Sequence, residues 1–241
     1  MNNPINKLVL ISSLSVLLTA CGGSDKVTDV AKDVASKGAE KVTEVAEAAG
    51  ASTEVAAKAG EMATKAVDHV SGAIDKKAAV DEAKKITKAF GGALKSELKA
   101  AMKAGGPINA LDICNTRANP IAAEKAKEFN AIISRVSLKN RSPINIPNEW
   151  QKAVLEDFDA RAAKGEDVKK MGFSEIVEHN GKKQLRFMKA LPVGEVCTKC
   201  HGTNIDAKVQ AKISELYPDD KATGYTVGQV RGAVVILKDL N

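Results

Sequence analysis

The chain has 241 residues, 44% of them hydrophobic and only 3% aromatic, with 36 Lys plus Arg against 30 Asp plus Glu. That length accommodates one ordinary domain with a sizeable appendage, or two small domains. A charged content of 27% and a mean hydropathy of -0.17 exclude a polytopic membrane protein. The formal charge of +6 comes from interleaved acids and bases rather than a concentrated basic face, so no nucleic-acid partner is expected.

Met1 to Lys7 is polar with one positive charge, and Leu8 to Leu18 is an apolar run of about ten residues. A charged start, a short apolar centre and small residues before Cys21 make a secretory leader rather than a spanning helix. The phrase Leu18-Thr19-Ala20-Cys21 resembles a bacterial lipobox, which implies that residues 1–20 are removed and that Cys21 carries the lipid. Several acyl chains on one residue exceed the single-chain affinity that gives only reversible anchoring. The expected location is extracytoplasmic, held to a membrane by this anchor. Gly22, where an Asp would retain such lipoproteins at the inner membrane, favours the outer membrane of a double-membrane host.

Residues 21–77 read as an Ala/Val/Lys/Glu-rich stalk, helical or disordered. All eight aromatic residues lie at or beyond Phe90. Val27, Val30, Val34, Val42, Val45, Val55 and Val67 make only a thin stripe, and Gly38, Gly50, Gly60 and Gly72 each weaken a helix by about 1 kcal/mol relative to Ala. Sustained heptads that would specify a coiled coil are lacking.

From Ala78 the periodicity broadens. Val80, Ala83, Ile86, Phe90, Leu94, Leu98 and Met102 predict a helix ending at Gly105, Gly106 and Pro107. A second helix carries Leu111 and Cys114, and a third begins after Asn119 and Pro120 and reaches about Phe129. The prolines of Arg141 to Pro147 predict an extended segment, and Trp150 to Ala163 a further helix. Strands are expected over Phe173 to Glu178 and Gln184 to Ala190, around the turn dipeptide Asn180-Gly181. A last strand covers Gln229 to Leu237. Helices followed by antiparallel strands read as an α+β domain over 78–241.

Cys197-Thr198-Lys199-Cys200-His201 is C-x-x-C-H, the attachment pattern of c-type haem. Two thiols at this spacing can add across the two vinyl groups of one porphyrin, and the adjacent imidazole then meets the iron. Attachment of c-haem occurs outside the inner membrane, so leader and motif support each other. Competing readings are a redox pair, half of a zinc site or a structural disulfide. Zinc usually requires a second close ligand pair, which is missing.

For the sixth iron position the candidates are Cys114, His179, Met171 and Met188, or no ligand. His179 borders a hairpin tip, Met188 alternates along a strand in a core pattern, and nothing distinguishes Met171. Cys114 stands out as an unassigned thiol in an oxidising compartment, although free cysteine is also common as a small buried residue.

Cys114 with Pro120, the phrase Arg135-Val136-Ser137-Leu138-Lys139-Asn140-Arg141-Ser142-Pro143, the stretch Cys197 to Gly202, and Tyr217-Pro218-Asp219-Asp220 through Tyr225 with Arg231-Gly232 occur in that order. Together they resemble the PAS-like c-haem family of exported cytochromes and sensor domains. The resemblance implies a PAS-like antiparallel sheet packed with N-terminal helices around one covalent haem c. It also implies His201 on one side of the iron and Cys114 on the other. Arg135, Lys139 and Arg141 are candidates to hold the haem propionates.

A filled iron would not admit substrate, so no enzyme is expected. The leading expectation is an anchored electron carrier with an unidentified redox partner. The alternative is a redox or gas sensor in which Cys114 yields its place to CO or NO. A weaker alternative is a non-haem zinc or disulfide lipoprotein. No output module follows Asn241, which favours electron transfer over sensing.

Overall fold

The computed structural model describes Lys37, residues 40–47 and residues 52–240. The leader at 1–20 and the lipidation candidate Cys21 lie outside the described residues, as do parts of the 21–77 segment. The chain divides into two units between Ile74 and Asp75. In the first, residues 40–47 are helical. Further along, Glu54 with Lys58 and Glu61 with Lys65 form exposed ion pairs one helical turn apart, each worth a few tenths of a kcal/mol.

Helix α1 is assigned over Thr53–Phe129. Within the second unit it is two arms joined at a break, where Gly105 and Gly106 leave helical geometry. Gly106 has φ of 69°, a conformation that costs a side-chain-bearing residue but not glycine. The chain reverses there, so that Arg117 of the second arm reaches Glu97 of the first at 3.3 Å and Asn109 Nδ2 donates to the Ala101 carbonyl at 2.9 Å. The helix does not restart at Pro120, contrary to the sequence expectation. A proline interrupts one backbone bond but keeps a helical φ, and Ala118 and Ile121 on either side are buried.

The sheet has four antiparallel strands, β1 (Ile132–Val136), β2 (Gly172–His179), β3 (Lys182–Pro192) and β4 (Val230–Asp239), in the order β1-β4-β3-β2. β2 and β3 form the expected hairpin, with Asn180 at φ 52° and Gly181 at φ 72° supplying the two left-handed residues of a tight turn. β1 is a strand the sequence reading did not anticipate. It pairs with β4 from Ile132 opposite Leu237 to Val136 opposite Ala233.

Period-two alternation gives the sheet two apolar faces. Ile133, Leu185, Phe187, Val234 and Ile236 pack against Ala79, Ala83, Ile86, Phe90 and Ile121 of α1. Val136, Met188, Ala190, Ala233 and Val235 pack on the other side against Val154, Leu155 and Phe158 of helix α2 (Glu149–Ala163). A capping box between Asn148 and Gln151 starts α2. Between β1 and α2 the segment expected to be extended instead contains a single 3-10 turn, Pro143–Asn145, with extended residues on either side. Proline pre-sets the φ of such a turn and does not prevent it. The result is the α+β fold that the sequence predicted, with the antiparallel sheet and packed helices that the resemblance implied.

The motif lies in the long connection from β3 to β4. A 3-10 turn (Glu195–Cys197) leads into the one-turn helix α3 (Thr198–His201), followed by helix α4 (Ala207–Leu216). Asp206 caps α4 through the amides of Lys208 and Val209. Val209 and Ile213 then pack on Leu111, with Cys200 against the same cluster. The second arm of α1, which carries Cys114, is thereby joined to the motif.

Candidate functional site

Cys197 ends one helical turn and Cys200 lies in the next, three residues on, so both thiols fall on one side of the chain. Backbone bonds from Cys197 N to the Gly194 carbonyl (2.9 Å) and from Gly202 N to the Thr198 carbonyl (3.0 Å) fix the turn. A Cβ on Gly202 would lie 2.5 Å from that carbonyl oxygen, so the turn closes only around glycine. Gly224 N donates to the Gly202 carbonyl and Tyr225 N to the His201 carbonyl, both at 2.9 Å. These bonds tie the motif to the segment before β4.

His201 Nδ1 is 2.6 Å from the Ala222 carbonyl and 3.3 Å from Arg231 Nε. One ring nitrogen cannot donate to the first and accept from the second at once. The shorter contact to a carbonyl fixes Nδ1 as the protonated nitrogen, and Arg231 is then a neighbouring cation rather than a donor to it. Nε2 is left with its lone pair, the tautomer a metal-ligating imidazole requires. Burial first, then the charges of Arg231 and Arg141, depress the pKa of His201 to about 2 against the pull of the Ala222 carbonyl. The ring is therefore neutral at physiological pH.

The motif opens onto a cavity of about 600 Å³, within the range of small-molecule and cofactor sites. Phe90, Leu94, Leu98 and Met102 of the first arm of α1 form one wall, Leu111 and Cys114 of the second arm continue it, and Leu191 and Val234 of the sheet lie beneath. The stripe predicted for α1 thus serves two purposes. Its first half packs on the sheet and its second half lines the cavity. Cys114, Cys197, Cys200 and His201 all line this one cavity, and the three cysteines are half-buried free thiols. Burial pushes the Cys114 thiol up, opposed by the charges of Arg135 and Arg141, and raises Cys200 likewise.

The three cationic candidates separate. Arg135, on β1, lines the cavity and makes no hydrogen bond or ion pair among the described residues. No fully buried side-chain nitrogen or oxygen among those residues lacks a partner, so its guanidinium reaches open cavity space. Arg141 is committed to the protein. It grips Asp220 through two bonds of 3.0 Å and donates to the Cys200 carbonyl at 2.6 Å and the Ala222 carbonyl at 3.4 Å. Arg141 therefore braces the motif against the Tyr217–Ala222 segment. Lys139 is placed elsewhere: its Nζ bonds the Thr223 carbonyl and stands 4.6 Å from the centre of the Tyr225 ring, outside the cavity lining.

Arg231 was not singled out from sequence as a site residue, yet it lines the cavity beside His201. Its Nη1 donates to Ser137 Oγ at 2.8 Å and the Lys139 carbonyl at 3.1 Å. The other candidates for an iron ligand fall away by position. Met171 and Met188 are wholly buried in the α2-side core, and His179 is exposed at the hairpin end beside Asn180. Among the described residues no group of three or more His, Cys, Asp or Glu side chains is gathered as a metal site.

The class defined is an α+β, PAS-like domain with an apolar cavity that presents two adjacent thiols, a neutral imidazole with one free nitrogen and a third thiol. The chain belongs to the Tll0287-like family (Tll0287), whose profile matches residues 29–238. Among solved structures it is similar to the cyanobacterial heme-protein Tll0287, at 21% identity over 68% of this chain and 94% of that one, with a TM-score of 0.49. No curated protein matches the chain.

Proposed function

We propose that this protein is a membrane-anchored, extracytoplasmic c-type cytochrome that binds one covalent haem and transfers electrons. The observation that carries the reading is the Cys197–His201 turn opening onto the apolar cavity with His201 Nδ1 engaged by the Ala222 carbonyl and Nε2 left for iron. That the family's namesake is a heme protein agrees with it.

The residues present fit the group. Cys197 and Cys200 would supply the two thioether sulfurs, and His201, oriented by the Ala222 carbonyl, would supply a nitrogen to the iron. Cys114 would supply a thiolate from the second arm of α1. Arg135, with no protein acceptor among the described residues, and Arg231 would hold the haem carboxylates, where charge-assisted bonds are strongest. The bound iron supplies one-electron Fe(III)/Fe(II) chemistry, and an anionic thiolate favours the ferric state. The walls of Phe90, Leu94, Leu98 and Met102 keep water from the centre. If His201 and Cys114 both bound the iron, no position would be open to a substrate, which supports electron transfer as the role. The leader and Cys21 support export and lipid anchoring, which places the haem domain at a membrane surface.

A second reading, a redox or gas sensor, is favoured by one observation. Burial raises the Cys114 thiol, so its thiolate is costly to maintain and is the ligand that reduction would release to CO or NO.

The test is expression with haem maturation, followed by haem staining after denaturation. Wild type should retain a stained band and Cys197→Ala/Cys200→Ala should lose it. A stained band in the double variant, or none in wild type, overturns the proposal.

A further inference from the structure

The charged side chains that line the cavity are Lys88, Lys95, Arg135, Arg141 and Arg231, and among the described residues no Asp or Glu lines it. Arg141 is neutralised by Asp220. On the reading given above, haem carboxylates occupy Arg135 and Arg231. Lys88 and Lys95 remain. They stand seven residues apart on α1, two turns along one face, both exposed and neither in an ion pair among the described residues. Two turns earlier on the helix, Lys77 and Lys84 share Asp81 at 2.8 and 3.0 Å. Lys85, Lys99 and Lys103 of α1 are, like Lys88 and Lys95, in no ion pair among the described residues, but only Lys88 and Lys95 of the helix lysines line the cavity.

The same mouth carries apolar side chains where a soluble surface would place polar ones. Ile144 is 65% exposed and Val196 51% exposed, and both line the cavity. Ile146, two residues on, is 60% exposed. Lys199, between the two motif cysteines, is also exposed, and the acidic neighbour Glu195 does not line the cavity. Exposed apolar side chains and unpaired cations lining one cavity are the composition of an interface that is steered by charge and held by desolvation.

We propose that this mouth is the docking face for an acidic electron-transfer protein, with Lys88 and Lys95 steering it and Ile144 and Val196 forming the contact through which the electron passes. The proposal rests on the haem reading. Its chemistry is one electron from ferrous iron to the partner's one-electron centre, with no proton or bond change required.

The test uses the full, haem-loaded protein in its ferrous form and two small outer-sphere oxidants of opposite charge, hexacyanoferrate(III) and tris(phenanthroline)cobalt(III), each taking one electron. Stopped-flow oxidation is followed against ionic strength. The anionic oxidant should slow as salt rises and the cationic one should not. Lys88→Glu/Lys95→Glu should lower the low-salt rate with hexacyanoferrate(III) by about tenfold or more. The control is Lys182→Glu/Lys183→Glu at the tip of the β2–β3 hairpin, which makes the same change in net charge. At 3.3 Å per residue those lysines lie about 30 Å along β3 from Leu191 and Pro192 at the cavity. The control should change the rate by less than about twofold. Equal effects of the two variants, or faster reaction with the cationic oxidant, overturn the docking face while leaving the haem reading intact. Wild-type protein without covalent haem overturns both. Absorption spectra of the variants establish that haem is bound as in wild type.

Discussion

The Arg141–Asp220 pair offers a prediction whose size follows from its geometry. Both side chains are almost fully buried, 9% and 7% exposed, and two bonds of 3.0 Å join them. Asp220→Ala leaves a buried guanidinium with only the Cys200 and Ala222 carbonyls, and removes the acceptor that holds Ala222 N at 3.0 Å. Breaking a buried pair from one side costs about 3–5 kcal/mol, against a total stability of about 5–15 kcal/mol for a domain. Arg141→Met strands the carboxylate at similar cost. The double variant leaves no unpaired charge, so the two losses should fail to add by about 2–3 kcal/mol. Urea unfolding of the haem-loaded protein, followed by circular dichroism, measures the cycle. The coupling should survive high salt, because water and ions do not reach the pair. Additivity within about 0.5 kcal/mol would refute the claim that this pair braces the motif.

Two further outcomes follow from the site. Cys114→Ala should raise the reduction potential by on the order of 0.1 V and let CO shift the Soret band, because an anionic ligand to ferric iron is lost; an unchanged spectrum and potential would return Cys114 to packing alone. In the haem-free chain, the His201 pKa is depressed to about 2 from 6.5, so the stability it contributes is complete above pH 6.5 and lost as pH falls from there toward 2. Linkage puts the loss between pH 7.5 and 5 at about 2 kcal/mol. Urea midpoints across that range should fall in wild type and flatten in His201→Asn, and parallel slopes would refute the assignment.

The sequence made the motif legible because its chemistry is local. Two thiols and an imidazole within five residues stand together whatever the fold, and the α1 stripe is a periodicity that any amphipathic helix shows. Residues brought together by pairing were harder to read. Ile132–Val136 looked like part of a basic phrase, and only its pairing with β4, about a hundred residues downstream, makes it a strand and turns Arg135 toward the cavity. Arg231 sits in an alternating strand where either face was open until the register was known. Lys139 and Arg141 are two residues apart in a loop, so no period predicts their directions. One ends against Tyr225 and the other under the motif.

The same non-local assembly explains why the cavity has this polarity. β1 brings Arg135 and β4 brings Arg231 from opposite ends of the domain onto its floor. Arg231 donates to Ser137 Oγ and the Lys139 carbonyl and is in no ion pair among the described residues, and Arg135 has no acceptor among them. Two partly buried guanidiniums without a carboxylate are expensive to maintain, and burial lowers the pKa of both. Asp220 lies close enough to be shared, yet it is spent on Arg141, the arginine that grips the motif. The chain therefore uses its local carboxylate for architecture and leaves two cations for a ligand that brings its own negative charge. On the proposed reading, a dicarboxylate macrocycle tethered at Cys197 and Cys200 would supply that charge where the cations stand, whereas a neutral apolar ligand of the same size would leave both arginines uncompensated.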